Sequence, residues 1–148
     1  MKKQNNSISI SEYKELQRKT KKPRKHDESD LQQSCVKYFD TFYPKLSLNF
    51  FKIHNEGNKN IVSAIINKRE GLRSGIADLF LAKAKFYYDG ELDSNVEFHG
   101  LFIELKSLKG TQSSVQKLFQ KAVELQDYKY IIIRTLDEFV TEINKYFE

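Results

Sequence analysis

From Leu31 the apolar residues recur through Cys35 and Phe39 to Phe42 at spacings of four, four and three, which is one face of a helix. Pro44 ends it, because proline lacks the N–H that the next turn needs. "NFFKIH" (49–54) predicts a short strand, and the polar "NEGNKN" after it a turn. "IVSAIINKREG" (61–71) predicts a helix closed by Gly71, with Lys68 and Arg69 in the last turn, where the helix dipole favours cations. Ile76 to Tyr88 reads as a strand, Asp89-Gly90 as a turn, and Val96 to Leu105 as the antiparallel return. "DGELDSN" between them predicts an exposed hairpin tip. Ser113 to Gln126 predicts a helix with Val115, Leu118, Phe119, Ala122 and Leu125 on one face. "YKYIIIR" (128–134) predicts a fully buried strand, and Leu136 to Phe147 a final helix carrying Phe139, Val140, Ile143 and Phe147.

The order α β α β β α β α predicts an α/β sandwich. Its mixed central sheet has about four strands flanked by helices, and a helix crossover joins the last two strands. There is no internal repeat. One place breaks the apolar logic. In "LFIELKSLKGTQSSVQKLF" (101–119), period two puts Phe102, Glu104 and Lys106 on one strand face. Burying a carboxylate and an ammonium there is costly unless a structural ion pair or a working site offsets it.

The chain of 148 residues fits one domain, and its 39% hydrophobic content supports a real core. The longest apolar runs, such as Tyr130 to Ile133, are too short to span a membrane, and no signal peptide is legible. The single Cys35 excludes an internal disulfide, reads as core filling, and fits a reducing cytoplasm. No Cys/His spacing fits zinc, and no phosphate-cradling glycine loop implies a nucleotide cofactor. Charge divides the chain. Residues 1–26 carry nine Lys/Arg against Glu12 and Glu15, a net of +7, whereas residues 27–148 net −2. The organisation expected is a basic, disordered arm over 1–26 and a folded domain over 27–148. "KTKKPRK" (19–25) is either a solvated leader or an arm that tracks phosphates.

Asp78 follows the tight Ser74-Gly75 turn, and Glu104 and Lys106 lie near the end of the neighbouring strand. Paired strands run about 4.8 Å apart, so the two carboxylates can share a divalent cation at about 2.1 Å. The carbonyl of Leu105 is a further candidate ligand, and Lys106 can orient or deprotonate an attacking water. Taken alone, E-x-K is weak.

The longer pattern is more specific. "GLRSGIADLFLA" followed by "GLFIELKSLKGTQSSVQKLFQKAVELQDYKYIIIRTLDEFVTEI" resembles the VRR-NUC domain, a branch of the PD-(D/E)XK nuclease superfamily. "ESDLQQSCVKYF" (28–39) resembles that family's opening helix. The resemblance spans roughly residues 28–145. It implies a restriction-endonuclease-like core, Asp78 and Glu104 as metal-binding acids, and Lys106 as the catalytic lysine. It also implies Gln116 beside the site and Glu28 as an acid able to approach the metal. Ala77 stands where the family has proline, which shapes backbone and binds nothing.

Bland roles stay open for two residues. Gln116 completes a capping box with Ser113, and serving both cap and site would require the side chain to swing between them. Glu28 can simply favour the first helical turn, although its spacing to Leu31 and Cys35 puts it on the buried face. The expectation is a Mg²⁺- or Mn²⁺-dependent DNA nuclease acting on branched or flap DNA. Small members of the family resemble phage enzymes that act as homodimers, in a bacterial or phage-infected cytoplasm. The rivals are a non-catalytic nucleic-acid-binding module and a nicking partner of another replication protein.

Overall fold

The computed structural model describes residues 27–54, 60–88 and 94–148. Helix α1 (Asp27–Phe42) buries Cys35 and Phe39 completely and half-buries Leu31, as the spacing predicts. Phe42 does not continue that face; it is 64% exposed, because the chain turns away at Tyr43 into a 3-10 turn over Pro44–Asn49. Strand β1 (Phe50–Lys52) follows, then α2 (Ile61–Arg69), whose Asn60 side chain caps the N–H of Val62. The chain continues through β2 (Leu79–Leu81), β3 (Lys85–Tyr88), β4 (Ser94–Phe98) and β5 (Leu101–Leu105). Helix α3 (Ser114–Glu124), strand β6 (Lys129–Ile133) and helix α4 (Leu136–Phe147) complete it.

Four strands form the central sheet in the order β1-β2-β5-β6. The first three are antiparallel neighbours, and β6 runs parallel to β5. A parallel pair needs a crossover, and α3 supplies it. The mixed α/β architecture thus agrees with the sequence. Leu79, Leu81, Leu101, Ile103, Leu105 and Ile133 face α1 and α4 in one core with Phe39, Phe139 and Ile143. The Phe39 and Phe50 rings lie 4.4 Å apart at its centre. The other face carries Phe51, Phe80 and Phe102 in register across three strands, and Phe119 of α3 meets Phe102 edge-on at 5.1 Å.

The expected long hairpin is instead two structures. The run from Ile76 to Tyr88 breaks after Leu81, and its return breaks at His99-Gly100, so β3 and β4 form a separate two-stranded sheet. The break is held by side chains and backbone together. Asn49 donates to the Ala82 carbonyl (3.0 Å), Ala82 N–H donates to Asn49 O (2.8 Å), and the Tyr146 hydroxyl donates to the Lys83 carbonyl (2.7 Å). Of the expected hairpin tip (89–95), Ser94 and Asn95 belong to β4, while residues 89–93 and the arm at 1–26 lie outside the described residues.

Two burial expectations also fail. Strand β6 is an edge strand, so Tyr130 and Ile133 are buried while Ile131 and Ile132 are only half-buried. On α3, Phe119 packs on Phe102 and Tyr130 of the sheet, but Val115, Leu118, Ala122 and Leu125 remain exposed. No helix among the described residues is long and apolar enough to cross a membrane.

Candidate active site

Gly75 begins the construction. Its φ of +80° suits glycine, and an added Cβ would lie 2.7 Å from Val115 Cγ1. The turn therefore seats against the start of α3 and delivers Asp78 to the head of β2. There the backbone is gripped from both sides: Asp78 N–H donates to Ile103 O (3.1 Å), and Ile53 N–H donates to Asp78 O (2.9 Å). Asp78 Oδ2 accepts the Leu105 N–H at 2.8 Å. Its other oxygen has no hydrogen-bond partner among the described residues.

Glu104 is the one fully buried charged residue among those described. Its side chain is 1% exposed and that of Lys106 13%, and Lys106 Nζ lies 2.8 Å from Glu104 Oε1. Gln116 Nε2 donates to the same oxygen, and the Tyr130 hydroxyl donates to Oε2 at 3.2 Å. Lys106 is fixed in turn by its own N–H, which donates to Ile133 O (3.0 Å). Burial pushes the Asp78 carboxyl above the ordinary range; the Leu105 N–H and Lys106 oppose the rise, and Glu28 adds to it. Burial likewise raises Glu104, against the pull of its Lys106 hydrogen bond and with a push from Asp78.

Gln116 holds two roles at once, without swinging. Its Oε1 accepts the Ser113 N–H (2.9 Å), its own N–H donates to Ser113 Oγ (3.3 Å), and its Nε2 remains for Glu104. An amide has an acceptor end and a donor end, which the expectation of mutually exclusive roles overlooked. Glu28 is exposed rather than buried, because α1 begins at the rim of the sheet. Its Oε1 accepts the Ser107 N–H at 2.9 Å. It borders a cleft of about 230 Å³ with Gln32, Lys52, Ile53, Asp78 and Leu105.

All six residues picked from the sequence thus meet at one end of the sheet. Among the described residues, no three His, Cys, Asp or Glu side chains gather tightly enough to hold a metal ion as a cluster. The sequence reading missed Tyr130, Gln112 and Lys52. Tyr130 was legible as a polar-tipped residue within an apolar run, but only β5–β6 pairing shows that it reaches Glu104. A wider groove of about 540 Å³ lies along β6 and α4; its lining includes Asp137, Glu138 and Glu142 and no basic residue, so it offers nothing to a phosphate.

No protein-family model matches the sequence, and no curated protein matches it. Among solved structures, the chain is similar to one described as a "VRR_NUC domain protein", with a TM-score of 0.65 and 19% identity. The match covers 81% of this chain and 87% of that one. At that identity the likeness establishes a shared fold.

Proposed function

We propose that this chain is a metal-dependent deoxyribonuclease that hydrolyses phosphodiester bonds in branched or flap DNA. One observation carries the reading: Asp78 and Glu104, both with raised carboxyl pKa, stand at one sheet end beside Lys106. A binding module gains nothing from two repelling carboxylates next to phosphate. The shared fold with a VRR_NUC domain protein supports it.

The donor set fits Mg²⁺ or Mn²⁺. Both groups offer hard oxygens, and Mg²⁺ is commonly held by one or two carboxylates plus waters and substrate phosphate, without a closed protein cage. Asp78 and Glu104 would hold the ion, with the Leu105 carbonyl and Glu28 as further candidates at the rim. When bound, the ion lowers the pKa of a coordinated water and offsets charge on the phosphate. Lys106 holds Glu104 Oε1 and presents a cation beside the phosphate. The Leu105 N–H holds Asp78 in a fixed rotation. Symmetrical cutting of a junction needs two sites related by a two-fold axis, so the working unit is a homodimer. A single species of monomer mass by light scattering, with and without junction DNA, would remove that part.

The test is cleavage of linear, flap and four-way DNA with Mn²⁺. The wild type is expected to cut branched substrates preferentially. Asp78→Asn, Glu104→Gln and Lys106→Ala should each abolish cutting, with non-additive losses. They should leave DNA binding in Ca²⁺ intact. Wild-type rates in the Asp78/Glu104 double variant would refute the nuclease reading. A wild type that binds DNA and never cuts would favour the non-catalytic module.

A further inference from the structure

A buried carboxylate is difficult to hold still. The terminal torsion of glutamate is broad, so packing alone does not fix the plane of its oxygens. At 1% exposure, Glu104 has almost no bulk water to do so either. Its orientation must come from protein donors. Two of them, Lys106 and Gln116, converge on Oε1. The third is Tyr130, on Oε2.

Resting on the nuclease reading, we infer that Tyr130 is a positioning residue, whose hydroxyl fixes the Glu104 carboxylate from the buried side and so sets affinity for the divalent cation. The topology makes this possible. Phe102 pairs with Tyr130 and Glu104 with Ile132 in the parallel register, so Tyr130 and Glu104 share the α3 face two positions apart. Tyr130 is 7% exposed and its ring packs against Phe119 at 6.2 Å, with the hydroxyl on Glu104 Oε2.

Beside the phenol, the Gln112 side chain favours the hydroxyl's charged form, and it belongs to a run of side-chain hydrogen bonds. Gln112 Nε2 donates to Gln120 Oε1 at 2.9 Å, and Gln120 Nε2 donates to Glu124 Oε1 at 2.8 Å. The run links the site to α3, the helix that also supplies Gln116. Tyr130 and Gln116 therefore grip the two oxygens of Glu104 from two elements whose relative placement is fixed by Phe119. Partners of metal-binding carboxylates that hold them in this way change metal affinity by about 10–100-fold when removed.

Tyr130→Phe removes only the hydroxyl and keeps the ring. Two measurements on the full chain test it. In metal-free protein, Tyr130→Phe should lower Tm in the wild-type background and leave it unchanged in a Glu104→Ala background. In calorimetric titration with Mn²⁺, Tyr130→Phe should weaken affinity about 10-fold or more, with kcat reduced and KM for DNA unchanged. Gln112→Ala should shift affinity the same way by less, and add little to Tyr130→Phe. Equal Tm losses in both backgrounds overturn the inference, as does unchanged Mn²⁺ affinity with an intact Tm coupling. A wild type that binds no Mn²⁺ instead overturns the nuclease reading itself, and this inference with it.

Discussion

Gln116 donates to the buried Glu104 carboxylate with one end of its amide, and with the other it closes the N-terminus of its own helix. Helix stability and site geometry are therefore joined in one side chain, while Ser113 serves only the helix. The two can be separated by mutation. Ser113→Ala should cost about 1 kcal/mol of stability and leave cleavage nearly unchanged. Gln116→Ala should cost at least as much and also lower kcat, since Glu104 loses a donor. Denaturant unfolding and single-turnover cleavage of both variants measure the difference, and equal kcat values would reduce Gln116 to a cap.

Raised carboxyl pKa values have a thermodynamic consequence with a definite sign. Burial disfavours the charged forms of Asp78 and Glu104, so the fold prefers them protonated. Their contribution to stability is greatest below the ordinary carboxylate range and is lost as pH rises through the raised values. Asp78→Asn removes one of the buried charges and still offers an oxygen to the Leu105 N–H. In metal-free protein it should therefore have a higher Tm than the wild type at pH 8, and the gap should close near pH 4. Mn²⁺ should raise the Tm of the wild type more than that of the variant. A pH series of thermal melts, with and without Mn²⁺, reads all of this.

Gly75 combines a φ of +80° with a contact that admits no Cβ. Gly75→Ala should cost at least about 2 kcal/mol from left-handed backbone and overpacking. Val115→Ala in the same chain should recover only part of the loss. The would-be Cβ also lies 2.9 Å from the Val115 carbonyl carbon, and the backbone strain remains. Because Asp78 is three residues on, residual activity should fall further than the folded fraction does. Circular dichroism melts and specific activity corrected for folded protein give the comparison.

Residues 27–148 net −2, while residues 1–26 net +7. A DNA duplex carries one negative charge per ~1.7 Å of axis, so on the proposed function the attraction is expected to come largely from the arm. Deleting residues 1–26 should weaken DNA binding and leave kcat at saturating substrate unchanged. If the arm contacts about four phosphates, the slope of log K against log salt becomes less negative by about 3–4. Identical slopes for full-length and truncated protein would assign the attraction to the folded surface instead.

Local patterns were enough for the order of the helices and of the four central strands, and missed the separate β3-β4 pair. The spacing of Leu31, Cys35 and Phe39 marks α1, Pro44 its end, and Phe139 and Ile143 the face of α4, because helix and strand periods are written in nearest neighbours. Asp78, Glu104 and Lys106 were picked out by the resemblance to the VRR-NUC domain, with the cost of charges in a strand built for burial pointing to the last two. What the sequence could not carry was the partner of each group. Tyr130 meets Glu104 only because β6 lies parallel beside β5, and Gln116 meets it only because α3 crosses over that pair. Strand β6 looked fully buried because an apolar run does not say whether a neighbour stands on one side or both. The hairpin from Ile76 to Leu105 looked continuous because the contacts that break it come from Asn49 and Tyr146, far away along the chain. Periodicity records which face of an element is buried; only tertiary packing decides what it is buried against.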